Sequence, residues 1–137
     1  VGKYSEYLFE DAKIAIGRVG ARCGCVYLTN PKSWITDNAL VVTEFSNLLS
    51  REYLFHSLSH LDLHTKAKQA AQPVVNQKNI NICIIPIPPL EEQLRITSYL
   101  EGLQRRFLLL GKLQGESLRE LDALLPSILD KAFKGGL

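Results

Sequence analysis

His56, His60 and His64 stand four residues apart. On a helix that interval stacks side chains along one side, an arrangement in which imidazoles can share a zinc ion or titrate together near neutral pH. The geometry for a single ion is poor, because each four-residue step drifts about 40° around the helix axis. The intervening Ser-Leu-Ser and Leu-Asp-Leu also exclude the HExxH pattern. Cys23, Cys25 and Cys83 give a CxC with one distant cysteine, not the paired CxxC steps of a zinc site. They read as reduced thiols, and strand alternation would put Cys23 and Cys25 on the same face. No Ser-His-Asp grouping and no paired carboxylates can be assembled. The reading is therefore no catalytic residue, no metal and no cofactor.

The elements that would carry these residues follow from periodicity. Lys13 to Ile16 alternates, "GRVGARCG" follows, and Cys25 to Leu28 is apolar, which predicts two strands joined or kinked by glycines. The glycines at 17, 20 and 24 lack the GxxxxGK[ST] pattern of a nucleotide-phosphate loop, so they serve turns or bulges. "TNPKSWITDN" is a turn region, and Ala39 to Thr43 is a third short strand. From Glu44 to about Lys68 apolar residues recur at three- and four-residue steps, predicting an amphipathic helix with Ser46 as its N-cap. "AAQPVVNQKN" reads as a loop. Ile80 to Ile87 reads as a strand buried on both faces, its prolines confining it to an edge or an exit from the sheet.

Pro88 and Pro89 end that element and open another. Pro89 suits a first helical turn, and Glu91 and Glu92 place negative charge at the positive end of the helix dipole. Leu100, Leu103, Phe107, Leu110, Leu121, Leu124 and Ile128 fall on one a/d seam, with Gln114 and Ser117 as polar exceptions. A helix from Leu90 to Leu124 would be about 52 Å long at 1.5 Å per residue, well beyond a small domain, so most of it should project. Gly102, Gly111 and Gly115 weaken it by up to about 1 kcal/mol each relative to alanine, so it needs a partner helix. Pro126 is expected to break it before a short last helix, Ser127 to Phe133.

Composition sets the outer limits. The 137 residues suit one domain with an appendage. Hydrophobic residues at 46% and charged residues at 22% are ordinary globular values, and no apolar run is long enough to span a membrane. There is no methionine, so the sequence reads as part of a longer gene product. The net charge of +2 lies wholly before the prolines, since seven basic and seven acidic residues cancel from Leu90 onward. That permits nucleic-acid binding without demanding it.

An apolar strand, then "IPIPPLEEQLRI", then a heptad helix closing with "LLPSILDKAFKGGL" resembles the target-recognition domain and following helix of the DNA-specificity subunit of type I restriction-modification enzymes. "DAKIAIGRVGARCGCVYLTNPKSWITDNALVV" resembles the glycine-rich strands of the same domains, and "AAQPVVNQKNI" the loop before their last strand. The resemblance implies an α+β fold, with a partial target-recognition domain at 1–89 and a long helix for dimerisation and spacing at 90–137. It implies a non-catalytic, cytoplasmic recognition subunit. Its partners would be double-stranded DNA, a methyltransferase (modification) subunit, a restriction subunit, and itself or a second half-subunit through the helix, with no membrane contact. Such subunits hold two recognition domains apart by pairing two long helices; this sequence contains one such unit, and the strands normally upstream of "VGKYSEY" are expected to be missing or to lie outside it. The competing reading is a coiled-coil interaction module that does not read DNA.

Reading bases requires donors and acceptors on loops, and holding phosphates requires cations and main-chain N–H groups. The candidates are Arg18 and Arg22 in the glycine segment, Lys32, Ser33 and Asn38 around the turn, and Gln72, Asn76, Gln77 and Lys78 in the late loop. Arg18, Asn76 and Gln77 rank highest by position and side-chain chemistry.

Overall fold

The computed structural model describes residues 8–64 and 74–135. The chain divides into two compact units, Val1–Thr97 and Ser98–Leu137.

The first unit is built on a three-stranded antiparallel sheet in the order β2-β1-β3, with β1 at Ile14–Gly17, β2 at Val26–Leu28 and β3 at Ala39–Val42. Ile14 faces Leu28 and Val42, and Ile16 faces Val26 and Leu40, so β-branched and leucine side chains meet in cross-strand pairs. Central β1 is the most deeply covered strand. Ile14 and Ile16 join Cys23, Leu54, Leu58, Leu63 and Val75 in one core.

Between β1 and β2 the chain makes a tight 3-10 turn, Gly20–Arg22. Two glycines make this turn possible. A Cβ at Gly17 would lie 2.0 Å from the Arg22 carbonyl oxygen, and one at Gly24 would lie 2.4 Å from the His64 nitrogen, where φ is also +81°. Cys23 and Cys25 belong to this turn and not to a strand, so they do not share a face: Cys23 is buried and Cys25 exposed, and both thiols are free, as is that of Cys83.

Helix α1 covers Arg51–His60, shorter than the expected 44–68; the part of that prediction at 65–68 lies outside the described residues. Its N-cap is Ser50, whose side chain accepts from the Tyr53 N–H, while Ser46 closes a separate turn by accepting from the Leu48 N–H. Local hydroxyl-to-backbone bonds form at both serines, and the chain enters helix only at the second.

The predicted strand at Ile80–Ile87 is not formed. Asn76 and Asn79 make a reciprocal capping box that starts a short helix α2, Gln77–Asn81, and no strand pairs with the prolines that follow. The apolar run packs by alternate residues instead. Ile80, Cys83 and Ile85 lie against the core, while Ile82, Ile84 and Ile87 are exposed, so the run is not buried on both faces.

Helix α3 spans Leu90–Phe133. Its first two turns belong to the first unit, where Gln93 and Thr97 are buried. Pro126 lies inside the helix and does not end it, contrary to expectation. The proline ring holds φ near its helical value, so it removes one hydrogen bond and crowds the preceding turn without forcing the chain out of helical geometry. The architecture is α+β.

Candidate nucleic-acid interface

Antiparallel pairing brings three stretches of chain, from two loops, to one end of the sheet. Arg18 follows β1, the Gly20–Arg22 turn leads into β2, and Asn38 precedes β3, whose Ala39 pairs with Gly17. A fourth segment joins them where Val19 bridges to Val74. The main chain of Arg18 is the knot. Its N–H donates to the Asn38 carbonyl at 2.9 Å, and its carbonyl accepts from the Val75 N–H at 2.9 Å and from the Cys23 thiol at 3.3 Å. Around it, the Gly24 N–H donates to the Gly17 carbonyl at 2.8 Å and the Gly17 N–H to the Cys25 carbonyl at 2.9 Å. The Arg18 side chain is exposed, carried on a backbone that three segments hold in place.

Asn76, Gln77 and Lys78 follow Val75 directly, at the start of α2. The Asn76 side-chain oxygen accepts from the Asn79 N–H at 3.1 Å, so this residue, ranked high as a base reader, uses its carbonyl oxygen as a helix cap. Gln77 and Lys78 are exposed. Gln72 lies outside the described residues.

Lys32 and Ser33 are at the other end of β1. The Lys32 N–H donates to the Glu10 carbonyl at 3.0 Å, and Ser33 and Phe9 exchange main-chain bonds, each 3.1 Å long. The Ser33 hydroxyl donates to the Asn30 carbonyl and thereby closes a turn. The length of β1, about 13 Å at 3.3 Å per residue, separates this pair from the Arg18 cluster. The eight candidates among the described residues thus do not make one patch: Arg18, Arg22, Asn38 and Asn76 to Lys78 gather at one end, Lys32 and Ser33 at the opposite end.

Sequence reasoning passed over Tyr27. Its exposed phenol is held above its ordinary pKa, first by a hydrogen bond with the Cys25 side chain, and the Arg22 guanidinium beside it pulls the other way. An aromatic ring beside an arginine provides a stacking surface for a base. The signal available was the close spacing of Arg22, Cys25 and Tyr27, but only the turn brings their side chains together.

The histidine ladder does not form, because α1 ends at His60 and His64 lies in the turn beyond it. Among the described residues no group of histidine, cysteine and carboxylate side chains is placed to hold a metal ion, and no helix is long and apolar enough to cross a membrane.

In the second unit, Leu103, Phe107, Leu110, Leu121, Leu124 and Ile128 of the expected seam are exposed, while Leu100 is half-buried. The apolar face is wider than an a/d seam. Helical spacing puts Leu113, Leu118, Leu125 and Leu129 on the same side, and shallow apolar grooves run between Leu103 and Leu110 and between Leu110 and Leu121. Charged residues occupy the other side, where Lys112 and Glu116 form an ion pair at 3.8 Å.

Comparison with known proteins gives a consistent picture. The family described as type I restriction modification DNA specificity domain matches residues 1–116. The specificity subunit of the type I restriction enzyme EcoprrI of Escherichia coli is 27% identical over 100 residues, covering 73% of this chain and 25% of the subunit. A chain in a solved structure concerned with complex assembly and conformational transition of the type I R-M system superposes with a TM-score of 0.77 at 29% identity, covering 98% of this chain and 33% of that one. The present chain therefore spans between a quarter and a third of the proteins it matches.

Proposed function

Since the chain belongs to the type I restriction modification DNA specificity domain family, we propose that it reads one half of a bipartite DNA target through the Arg18 end of its sheet. In this reading residues 1–89 form the recognition part and 90–137 the dimerisation and spacing part. The apolar face of α3 pairs with a second long helix, from another copy or from a second recognition unit of the same parent chain. The chain supplies no catalytic group, and separate methyltransferase and restriction subunits act on the DNA in the cytoplasm.

The mounting of Arg18 carries the proposal. A base-reading arginine gains discrimination when its backbone does not need to be ordered on binding, and Arg18 is held by Asn38, Val75 and Cys23 before any ligand arrives. Arg22, Tyr27, Asn38, Gln77 and Lys78 surround that end with two further cations, a ring and amides. Lys32 and Ser33 contribute at most a phosphate contact away from the reading end.

Pairing of two long helices holds two reading ends at a fixed distance, and one to two turns of DNA, about 34 Å each, is the matching scale. The test is selection from random duplexes at near-physiological salt by the chain in its assembled form. Enrichment of two half-sites at one spacing is expected. Weak binding without preference, with a shallow salt dependence, would leave the helix-pairing module alone.

A further inference from the structure

Gln93 is fully buried, at 0% exposure, in the first turns of a helix whose neighbouring polar residues, Glu91 and Arg95, are exposed. Its side-chain oxygen accepts from the Ser50 N–H at 2.8 Å, and its side-chain nitrogen donates to the Leu48 carbonyl at 2.7 Å and the Pro88 carbonyl at 2.8 Å. Ser50 is the N-cap of α1. One amide therefore ties the start of α3 to the start of α1 and to the chain entering α3. Tyr53, one turn into α1, reinforces the tie by donating its hydroxyl to the Pro86 carbonyl at 3.0 Å.

We infer that Gln93 is a positioning residue whose three main-chain hydrogen bonds lock the first turns of α3 to the recognition unit, and that this lock selects the spacing between the two half-sites. The inference rests on the DNA-reading proposal above. Only a primary amide of this length has both an acceptor and two donors to offer. Glutamate would set a carboxylate against two carbonyl oxygens, and methionine would fill the volume while leaving all three main-chain groups unpaired. A spacer read through a helix is only as exact as the seating of that helix's base, and apolar packing alone, being non-directional, fixes such seating less sharply than converging hydrogen bonds.

The experiment repeats the selection from random duplexes with the wild-type chain, Gln93→Met and Gln93→Asn, each in assembled form, alongside amide hydrogen exchange of unmodified protein. Absence of any motif with the wild type refutes the DNA-reading proposal itself and says nothing specific to Gln93. Given a wild-type motif, the expected result is unchanged half-site sequences in the variants with the single spacer length spread over neighbouring lengths. About tenfold discrimination between adjacent spacers should be lost. The Ser50 amide should exchange slowly in the wild type. A variant that keeps one spacer length overturns the inference, as does rapid exchange at Ser50. Failure of both variants to fold also overturns it, since Gln93 would then be a requirement of the fold and not of the spacing.

Discussion

The two units differ in that the first gathers part of its leucines and isoleucines into a core, and the second leaves its own open. In the first, Ile14 and Ile16 of β1 and Leu54 and Leu58 of α1 are buried, and the sheet is stable because its own chain covers it. In the second, Phe107 is 78% exposed and the leucines around it are similarly open. An isolated helix gains little from its own hydrogen bonds and is weakened further by interior glycines. The difference teaches that stability in the first unit is internal, whereas the second shows an open apolar face where the first has a core.

The largest expected effect breaks that contrast at its open side. Replacing Leu103 and Leu110 together by Asp should weaken self-association or helix pairing by at least about a hundredfold, because each buried leucine is worth about 1.5–3 kcal/mol. Light scattering would then show monomers. Persistent dimers would mean that the exposed face is not the interface. The same changes should leave the melting of the first unit in place.

The next effect is confined to the first unit. Ile16→Ala should cost about 2–5 kcal/mol by opening a cavity under the sheet, lowering its melting temperature by about 10 °C or more. Leu118→Ala, at an exposed site, should change the stability of the unassociated chain by less than about 0.5 kcal/mol. Equal losses from the two substitutions would erase the distinction between core and open face.

Arg18→Ala tests the proposed reading role of its end of the sheet without touching either source of stability. Affinity for the selected duplex should fall about tenfold, within the 1–3 kcal/mol typical of a base-reading arginine, and preference should relax at one base pair. A uniform loss across sequences, with the salt slope reduced by about one, would instead assign Arg18 to a phosphate.

The smallest effect lies at the base of α3. Glu92 and Arg95 bond through both guanidinium contacts, at 2.7 and 2.6 Å, and the hydrogen bond to Arg95 holds the Glu92 carboxyl below its usual range. A depressed carboxyl stabilises the fold above the unfolded value, about 4.3, and that contribution disappears as pH falls through the folded value. Both groups are exposed, so solvent screens the pair. Thermal melts of Glu92→Gln should fall barely below those of wild type near neutral pH and coincide with them in acid.

Several elements were legible from local pattern. Alternation at Lys13 to Ile16 and β-branched residues at Ala39 to Thr43 gave the strands to within a residue or two of Ile14–Gly17 and Ala39–Val42. The prolines and acidic pair marked the start of α3 at Leu90. Local pattern misled where two local preferences competed. The apolar run at 80–87 resembled a strand, but Asn76 and Asn79 capped a helix across its beginning and the prolines left the remainder without a ladder. Asn76 reads as a base contact by position and by its amide chemistry, and the same amide makes a good cap: its oxygen accepts from the Asn79 N–H.

By itself the sequence determined which segments favour helix or strand, where the terminal helix begins, and the chemical types available for recognition. Those properties depend on residues within a few positions of each other. The tertiary structure alone decided that Arg18 shares an end of the sheet with Asn38 and Val75 while Lys32 lies at the other, because strand pairing joins residues distant along the chain. It also decided that Gln93, one polar residue in a charged helical turn, is buried against Leu48, Ser50 and Pro88. A glutamine's donors and acceptor carry no direction in a sequence; they acquire one only when the fold brings main-chain groups to meet them.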